Sequence, residues 1–176
     1  MKLRIVLASL MALIPGAVKA NGLENAGTDV AIALPLLAGG ITAVRSDWTG
    51  LAELTVDTVG TVGSAYILKS VIKERRPDKS DFKSFPSDTA ALAFAPAQFL
   101  WDRYGWEYGV PAYLAAGFVG YSRVDAKKHY WWDVATSAGI AFTFSKIFTT
   151  EYRESNFDYH VSATTQSVYA SLNYRF

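Results

Sequence analysis

The sequence predicts an all-α fold, a bundle of about five to six helices followed by a small C-terminal β-hairpin. Five uncharged apolar segments lie between charged residues and polar, Gly or Pro breaks, a pattern typical of packed helices. The C-terminal stretch instead alternates apolar and polar side chains, as strands do. With 176 residues, of which 51% are hydrophobic, the chain can bury the core of one domain.

The first element, residues 1–20, is typical of a secretory signal peptide. A short basic start precedes an uncharged run from Ile5 to Ile14, and Val18 and Ala20 supply the small residues of a cleavage site. An uncleaved anchor helix is the alternative, but the run is shorter than the roughly 20 residues that cross a bilayer. We therefore expect cleavage after Ala20 and export to the bacterial periplasm, or to a membrane with the active site facing the periplasm.

The helices are expected within a domain that covers residues 21–150. The apolar segments that predict them are Val30–Val44, Thr58–Leu68, Thr89–Trp101, Tyr108–Ser122 and Val134–Ser145. Each is 11 to 15 residues long, which is short for a membrane-spanning helix of about 20 residues. These lengths favour the core helices of a compact bundle, and a shallow or tilted bundle partly in lipid is the alternative.

Residues 151–176 are predicted to form a C-terminal extension. Two alternating runs, Phe157–Ser162 and Val168–Phe176, have the period of strands, with a turn near Thr164–Ser167. An alternating strand that ends in Phe also resembles the last strand of an outer-membrane barrel. Because one hairpin cannot close a barrel, we expect the hairpin to pack on the helical body.

Composition limits the chemistry that the chain can perform. The formal net charge of +1 gives no general electrostatic basis for binding nucleic acid. There is no cysteine, which excludes disulfides, thiolate nucleophiles and most zinc sites. Only two histidines are present, His129 and His160. Imidazole chemistry is therefore confined to these two positions.

Two clusters in the middle of the chain have the character of anion sites. Lys69 and Arg76 are seven residues apart, so a helix that ends at Pro77 would carry both cations on one face. Further along, Ser87 or Asp88 can cap the next helix, and free N–H groups at such an end attract anions. Each cluster alone is equally explained by an ordinary solvated or capped helix end.

A third cluster contains Ser122, Arg123, His129 and Asp133. His129 and Asp133 have the i, i+4 spacing that places two side chains on one helical face. A carboxylate on one imidazole nitrogen fixes the tautomer and leaves the other nitrogen free to attack. Arg123 adds a planar donor group for phosphate oxygens.

In this order and spacing, the three clusters resemble the signature of the type 2 phosphatidic acid phosphatase and vanadium haloperoxidase superfamily. Its pattern is K-x-x-x-x-x-x-R-P, then P-S-G-H, then S-R-x-x-x-x-x-H-x-x-x-D. Seven fixed residues match in the first and third parts: Lys69, Arg76, Pro77, Ser122, Arg123, His129 and Asp133. The resemblance covers about residues 50–145.

The resemblance implies a helical bundle whose motifs meet at one phosphate pocket, in a phosphatase that needs no metal and no other cofactor. It implies that His129 attacks phosphorus to form a phosphohistidine and that Asp133 orients it. The implied phosphate-binding residues are Lys69, Arg76, Ser87 and Arg123. Export, the aromatic residues beside His129 and an apolar bundle favour a phosphorylated lipid as substrate, either a monoester or a diphosphate, and the same observations permit a small phosphoester. Tyr130, Trp131 and Trp132 adjoin His129 and either line an apolar channel, lie at a lipid interface or pack in the core.

The second motif departs from the family pattern, because Pro86-Ser87-Asp88-Thr89 stands where the family has P-S-G-H. The histidine that usually protonates the leaving group is absent, and Asp88 or Thr89 occupies its place. Asp88 can be the general acid if phosphate and burial raise its pKa. His160 can replace it only if the hairpin folds over the pocket.

The departure leaves other interpretations open. A diphosphate or aryl phosphate has a leaving group that needs little protonation, so the enzyme could work without a general acid. The second class of function is non-enzymatic: an envelope protein that binds phosphate groups or has a structural role. A vanadate-dependent haloperoxidase is a further enzyme class with these motifs, disfavoured by the short chain.

Overall fold

The computed structural model describes the backbone of residues 20–152, 157–164 and 167–174, and the side chains of residues 22–152. Its five helices are α1 (Ala20–Val44), α2 (Trp48–Val71), α3 (Asp88–Tyr104), α4 (Trp106–Asp125) and α5 (Trp131–Phe148). The predicted all-helical body is confirmed by these five helices. The predicted signal peptide lies outside the described residues except for Ala20, where α1 begins.

Each helix is longer than the apolar segment that predicted it, because helices continue through their polar ends. In α1 the added residues lie at the N-terminus, where the first turns contain Glu24 and Thr28. The hydroxyl of Thr28 donates to the carbonyl oxygen of Glu24 over 3.0 Å, one turn earlier, so a polar side chain is accommodated without ending the helix. Among the described residues, Gly22–Val44 is the one helical stretch long and apolar enough to cross a membrane. The expectation that every segment is too short to span is therefore wrong for α1.

Helix α3 lies at the centre and contacts the other four helices. Its inward surface is built mainly from small residues, with Phe94, Phe99 and Leu100 filling the space between neighbours. Small side chains let helices approach closely. On α4, a Cβ atom at Gly109 would lie 2.8 Å from the backbone Cα of Trp101, which only glycine avoids. The core of the protein is therefore organised around α3, whose N-terminus carries the second motif.

A buried ion pair fixes the end of the bundle that is remote from that motif. Asp47 caps α2 by accepting the N–H of Gly50 over 2.9 Å. The guanidinium of Arg103, at the end of α3, donates to both carboxylate oxygens of Asp47 over 2.8 and 2.6 Å. Removing one partner of such a pair typically costs about 3–5 kcal/mol. This contact holds α2 against α3, so that the last turn of α2 lies beside the first turn of α3.

The structure describes strands β1 (Phe157–Thr164) and β2 (Ser167–Tyr174), antiparallel, with Phe157 opposite Tyr174. The side chains of this region lie outside the described residues. How a hairpin would pack on the helical body therefore stays a prediction, as do the domain limits at residues 21–150 and 151–176.

Candidate active site

His129 lies in the connection between α4 and α5, not on a helix. Its backbone N–H donates to the carbonyl oxygen of Arg123 over 3.3 Å, and Tyr130 is the extended residue before α5 (φ −86°, ψ 164°). The prediction that His129 and Asp133 share one helical face is therefore wrong. They still meet, because Asp133 is the third residue of α5 and its Oδ2 turns back to accept the N–H of Tyr130 over 2.9 Å. This is the carboxylate half of a capping box.

The imidazole of His129 is buried and held through Nδ1. Nδ1 lies 2.7 Å from the main-chain carbonyl oxygen of Ser84 and 3.5 Å from Oδ2 of Asp133. Both neighbours are acceptors, so Nδ1 carries the proton and Nε2 carries the lone pair. On the other side of the ring, Oδ1 of Asp88 lies 4.0 Å from Nε2. This tautomer is the one that a nucleophilic Nε2 requires.

Asp133 is fully buried and remains ionised through its hydrogen bonds. Oδ2 accepts the hydroxyl of Ser84 over 2.5 Å as well as the N–H of Tyr130. Burial acts to raise the pKa of Asp133, but hydrogen bonds from His129, Ser84 and Tyr130 outweigh burial and lower it. A carboxylate held in this way can orient His129 and stabilise positive charge on its ring.

Asp88 is the first residue of α3 and lies between Lys69 and His129. Nζ of Lys69 is 2.9 Å from Oδ1 of Asp88, and both side chains are largely buried. Burial acts to raise the pKa of Asp88, but the ion pair with Lys69 lowers it. The structure therefore places Asp88, rather than Thr89, beside Nε2 of His129, in its ionised form and occupying space that an anion would use.

Two arginines add positive charge to the same region. Burial lowers the pKa of Arg123, the carboxylates of Glu24 and Asp88 act to raise it, and the positive charge of Arg76 acts to lower it. These residues therefore lie within electrostatic reach of one another. The Nε of Arg123 is buried and has no hydrogen-bond partner among the described residues. Two cations near each other, one with an unused donor, favour the binding of an anion.

Lys69 and Arg76 do not share a helical face, contrary to the sequence prediction. Helix α2 ends at Val71, and Ile72 is extended (φ −92°, ψ 111°). Pro77 disfavours helical backbone at Arg76, and Arg76 instead pairs its Nε with Oδ1 of Asp81 over 2.8 Å. The two motif cations therefore come from the last turn of a helix and from a loop.

Ser87 is the N-cap of α3, as predicted, and accepts the N–H of Ala90 over 3.3 Å. Its N–H donates to the carbonyl oxygen of Asp133 over 3.3 Å, and its own carbonyl oxygen accepts the hydroxyl of Ser137 over 2.7 Å. The backbone N–H of Ser87 is therefore already used, and its hydroxyl hydrogen is the donor that remains for a phosphate.

Three residues at the site carried no predicted role. Ser84 contacts both His129 and Asp133, Glu24 contacts Arg123, and Glu74 contacts the side chain of Trp132. Glu74 lies within a run of charges that is typical of solvated surface, and Ser84 lies in a loop 45 positions before His129. Nothing in the sequence pattern distinguishes them from ordinary polar residues.

The aromatic residues beside His129 do not pack in the core. Trp131 and Trp132 are both exposed. The ring of Trp132 stacks on Tyr130 with centroids 4.4 Å apart, and Trp131 lies near the exposed ring of Tyr121. Packing in the core is therefore excluded for Trp131 and Trp132, and a position at an apolar channel or a lipid interface remains.

Within residues 22–152, no group of three or more acidic or histidine side chains is arranged to hold a metal ion.

The chain has clear relatives among known proteins. The family model described as PAP2 superfamily matches residues 51–157. A lipid A 4'-phosphatase of Helicobacter pylori is 33% identical over 142 residues, which are 74% of this chain and 71% of that protein. The crystal structure of Aquifex aeolicus LpxE shares the fold, with a TM-score of 0.54 and 20% identity over 68% of this chain and 83% of that chain. The chain therefore belongs to the PAP2 superfamily, as its motifs predict.

Proposed function

We propose that this protein is a metal-independent phosphatase of the cell envelope that hydrolyses a lipid phosphomonoester or diphosphate through a phosphohistidine on His129. The observation that carries the proposal is the hydrogen bond from Nδ1 of His129 to Ser84. It leaves the lone pair on Nε2, beside Asp88 and the cationic group of Lys69, Arg76 and Arg123. Membership of the PAP2 superfamily and the relationship to a lipid A phosphatase support the same reaction.

In the proposed reaction, the substrate phosphoryl group displaces Asp88 from Lys69 and binds between the cations. Nε2 of His129 then attacks phosphorus and the bond to the leaving oxygen breaks, while Asp133 stabilises the charge that develops on the ring. Once released from Lys69, Asp88 takes up a proton from solvent and gives it to the leaving oxygen. Water then attacks phosphorus and gives a proton to the ionised Asp88, while the P–N bond breaks; inorganic phosphate leaves and the imidazole is restored.

Lipid is the proposed substrate because apolar side chains cover much of the helical surface. Every helix exposes large hydrophobic residues; examples are Leu36, Val59, Trp101, Leu114 and Ile147. Trp131 and Trp132 are exposed beside the nucleophile, and exposed tryptophans are typical of the membrane–water interface. Helix α1 provides one apolar stretch of sufficient length to anchor the protein. We infer an active site that opens at the periplasmic surface of a membrane.

The proposal is tested by phosphate release from the purified protein in the presence of a chelator. The substrates are a lipid phosphate, a lipid diphosphate and p-nitrophenyl phosphate. We expect chelator-resistant release that falls below about one thousandth of the wild-type rate in His129→Ala, since the nucleophile is lost. His160→Ala is the matched control and should retain the wild-type rate.

Two results would contradict the proposal. Undiminished release by His129→Ala would exclude the phosphohistidine. A folded wild-type protein that binds phosphate or vanadate but releases nothing from any substrate would instead indicate the non-catalytic, phosphate-binding alternative.

A further inference from the structure

Glu74 is a neighbour of the buried pair of His129 and Asp133. Its main-chain carbonyl oxygen accepts the N–H of Ser84 over 3.0 Å, and its Oε1 accepts the indole N–H of Trp132 over 2.9 Å. These contacts hold Glu74 between the Ser84 loop and the first turn of α5. The main chain of Glu74 is therefore joined to the loop at Ser84, and its carboxyl group to the first turn of α5.

Two carboxyl oxygens at this place are buried without a hydrogen-bond donor among the described residues: Oε2 of Glu74 and Oδ1 of Asp133. Glu74 accepts from Trp132, the residue next to Asp133 in the chain, and each of the two carboxyl groups shifts the pKa of the other, so the two groups are neighbours. Two ionised carboxylates in contact repel each other, and buried acceptors without a donor are costly. One proton shared between the two groups would satisfy both oxygens at once.

The surroundings place this proton on Glu74. Oδ2 of Asp133 accepts hydrogen bonds from Ser84 and Tyr130 and lies 3.5 Å from Nδ1 of His129, and these contacts lower the pKa of Asp133 in spite of its burial. Glu74 receives one hydrogen bond from a neutral indole, while burial and the neighbouring carboxylate raise the pKa of Glu74. His129 is a further ionisable group beside the pair, and beyond its Nε2 lie Asp88 and Lys69.

We propose that Glu74 is a positioning residue whose protonated carboxyl donates from Oε2 to Oδ1 of Asp133. This contact would leave Oδ2 of Asp133 aimed at Nδ1 of His129, and so it rests on the proposed function of His129 as the nucleophile. Loss of the proton would place two negative charges in contact and displace Asp133. Catalysis should therefore decline as the pH rises through the raised pKa of Glu74.

The test compares Glu74→Gln with Glu74→Leu. Glutamine keeps a donor for Asp133 and an acceptor for Trp132, but it cannot lose a proton in this range. We expect Glu74→Gln to keep kcat within about threefold of the wild type and to move the alkaline limb of its pH profile upward. Glu74→Leu should lower kcat at least about tenfold with KM within about twofold, because positioning rather than binding is lost.

A second measurement is independent of turnover. Because the chain has only two histidines, the ¹⁵N-histidine spectrum of the protein can be assigned with a His160→Gln variant. The Nδ1–H signal of His129 should show an alkaline transition in the wild type that is absent in Glu74→Gln. Glu107→Gln, an exposed position on α4, is the matched control and should behave as wild type.

The inference is overturned if Glu74→Gln loses as much kcat as Glu74→Leu, since an ionised Glu74 would then be required. It is also overturned if both variants match the wild type, or if the alkaline transition persists in Glu74→Gln. Failure of the proposed function would look different. The wild type would then release no phosphate, while the spectrum would still show whether Glu74 and Asp133 share a proton.

Discussion

Nδ1 of His129 donates to the main-chain carbonyl oxygen of Ser84 over 2.7 Å, a shorter contact than the 3.5 Å to Asp133. The carbonyl and the carboxylate therefore fix the imidazole together. The hydroxyl of the same Ser84 donates to Asp133 over 2.5 Å. One loop residue thus holds both members of the proposed nucleophile–carboxylate pair.

Ser84→Ala should lower kcat about tenfold and change KM little. The substitution keeps the carbonyl that binds His129 but removes the hydroxyl from Oδ2 of Asp133, a loss of about 1.5 kcal/mol for a hydrogen bond to a charged group. The measurement is steady-state phosphate release on a lipid phosphate. Ser80→Ala, at an exposed serine whose N–H and hydroxyl donate to Asp78, should keep the wild-type rate. An unchanged kcat in Ser84→Ala would show that the carbonyl alone orients the ring.

The sequence predicted the helical body and the residues of the first and third motifs, because apolar runs and motif spacing are local features. It did not predict how these residues are brought together. The prediction from the i, i+4 spacing required His129 and Asp133 to lie on one helix. In the structure, Tyr130 is extended and α5 begins at Trp131, so only Asp133 lies on the helix. Ser84 and Glu74 contact residues of the third-motif region that are 45 or more positions away in the chain. Such contacts arise from tertiary packing, and the local periodicity of the sequence does not predict them.

Asp88→Asn should discriminate between leaving groups. If Asp88 protonates the leaving oxygen after phosphate has displaced it from Lys69, its loss should slow hydrolysis of an alkyl phosphate about 100-fold. Hydrolysis of p-nitrophenyl phosphate should change less than about threefold, because nitrophenolate leaves without a proton. The kcat ratio of the two substrates is the measurement.

Asp125→Asn is the control for this comparison, since Asp125 is exposed at the end of α4. Equal losses on both substrates would reject the general-acid role of Asp88. A gain in apparent affinity with unchanged kcat would instead show that Asp88 only competes with phosphate for Lys69.

Asp57→Asn should stabilise the protein at neutral pH. Asp57 is fully buried on α2; its Oδ2 accepts the hydroxyl of Thr149 over 2.5 Å, and its Oδ1 has no partner among the described residues. Burial, together with the nearby carboxylates of Glu53 and Asp102, raises the pKa of Asp57 from 3.8 to about 6. The folded state therefore binds this proton more tightly than the unfolded state does.

Because the folded pKa is raised, stability from this group is fully present below pH 3.8 and is lost as pH rises to about 6. Asparagine cannot ionise. The substitution should therefore raise the free energy of unfolding at pH 7 by up to about 3 kcal/mol, which is the free-energy equivalent of the pKa shift of Asp57. The two proteins should differ little at pH 4. Denaturant unfolding of both at the two pH values measures this, with the exposed Asp29→Asn as a control that should show no pH-dependent gain. An equal difference at both pH values would mean that the pKa of Asp57 is the same in the folded and unfolded states, and therefore that the fold compensates its charge.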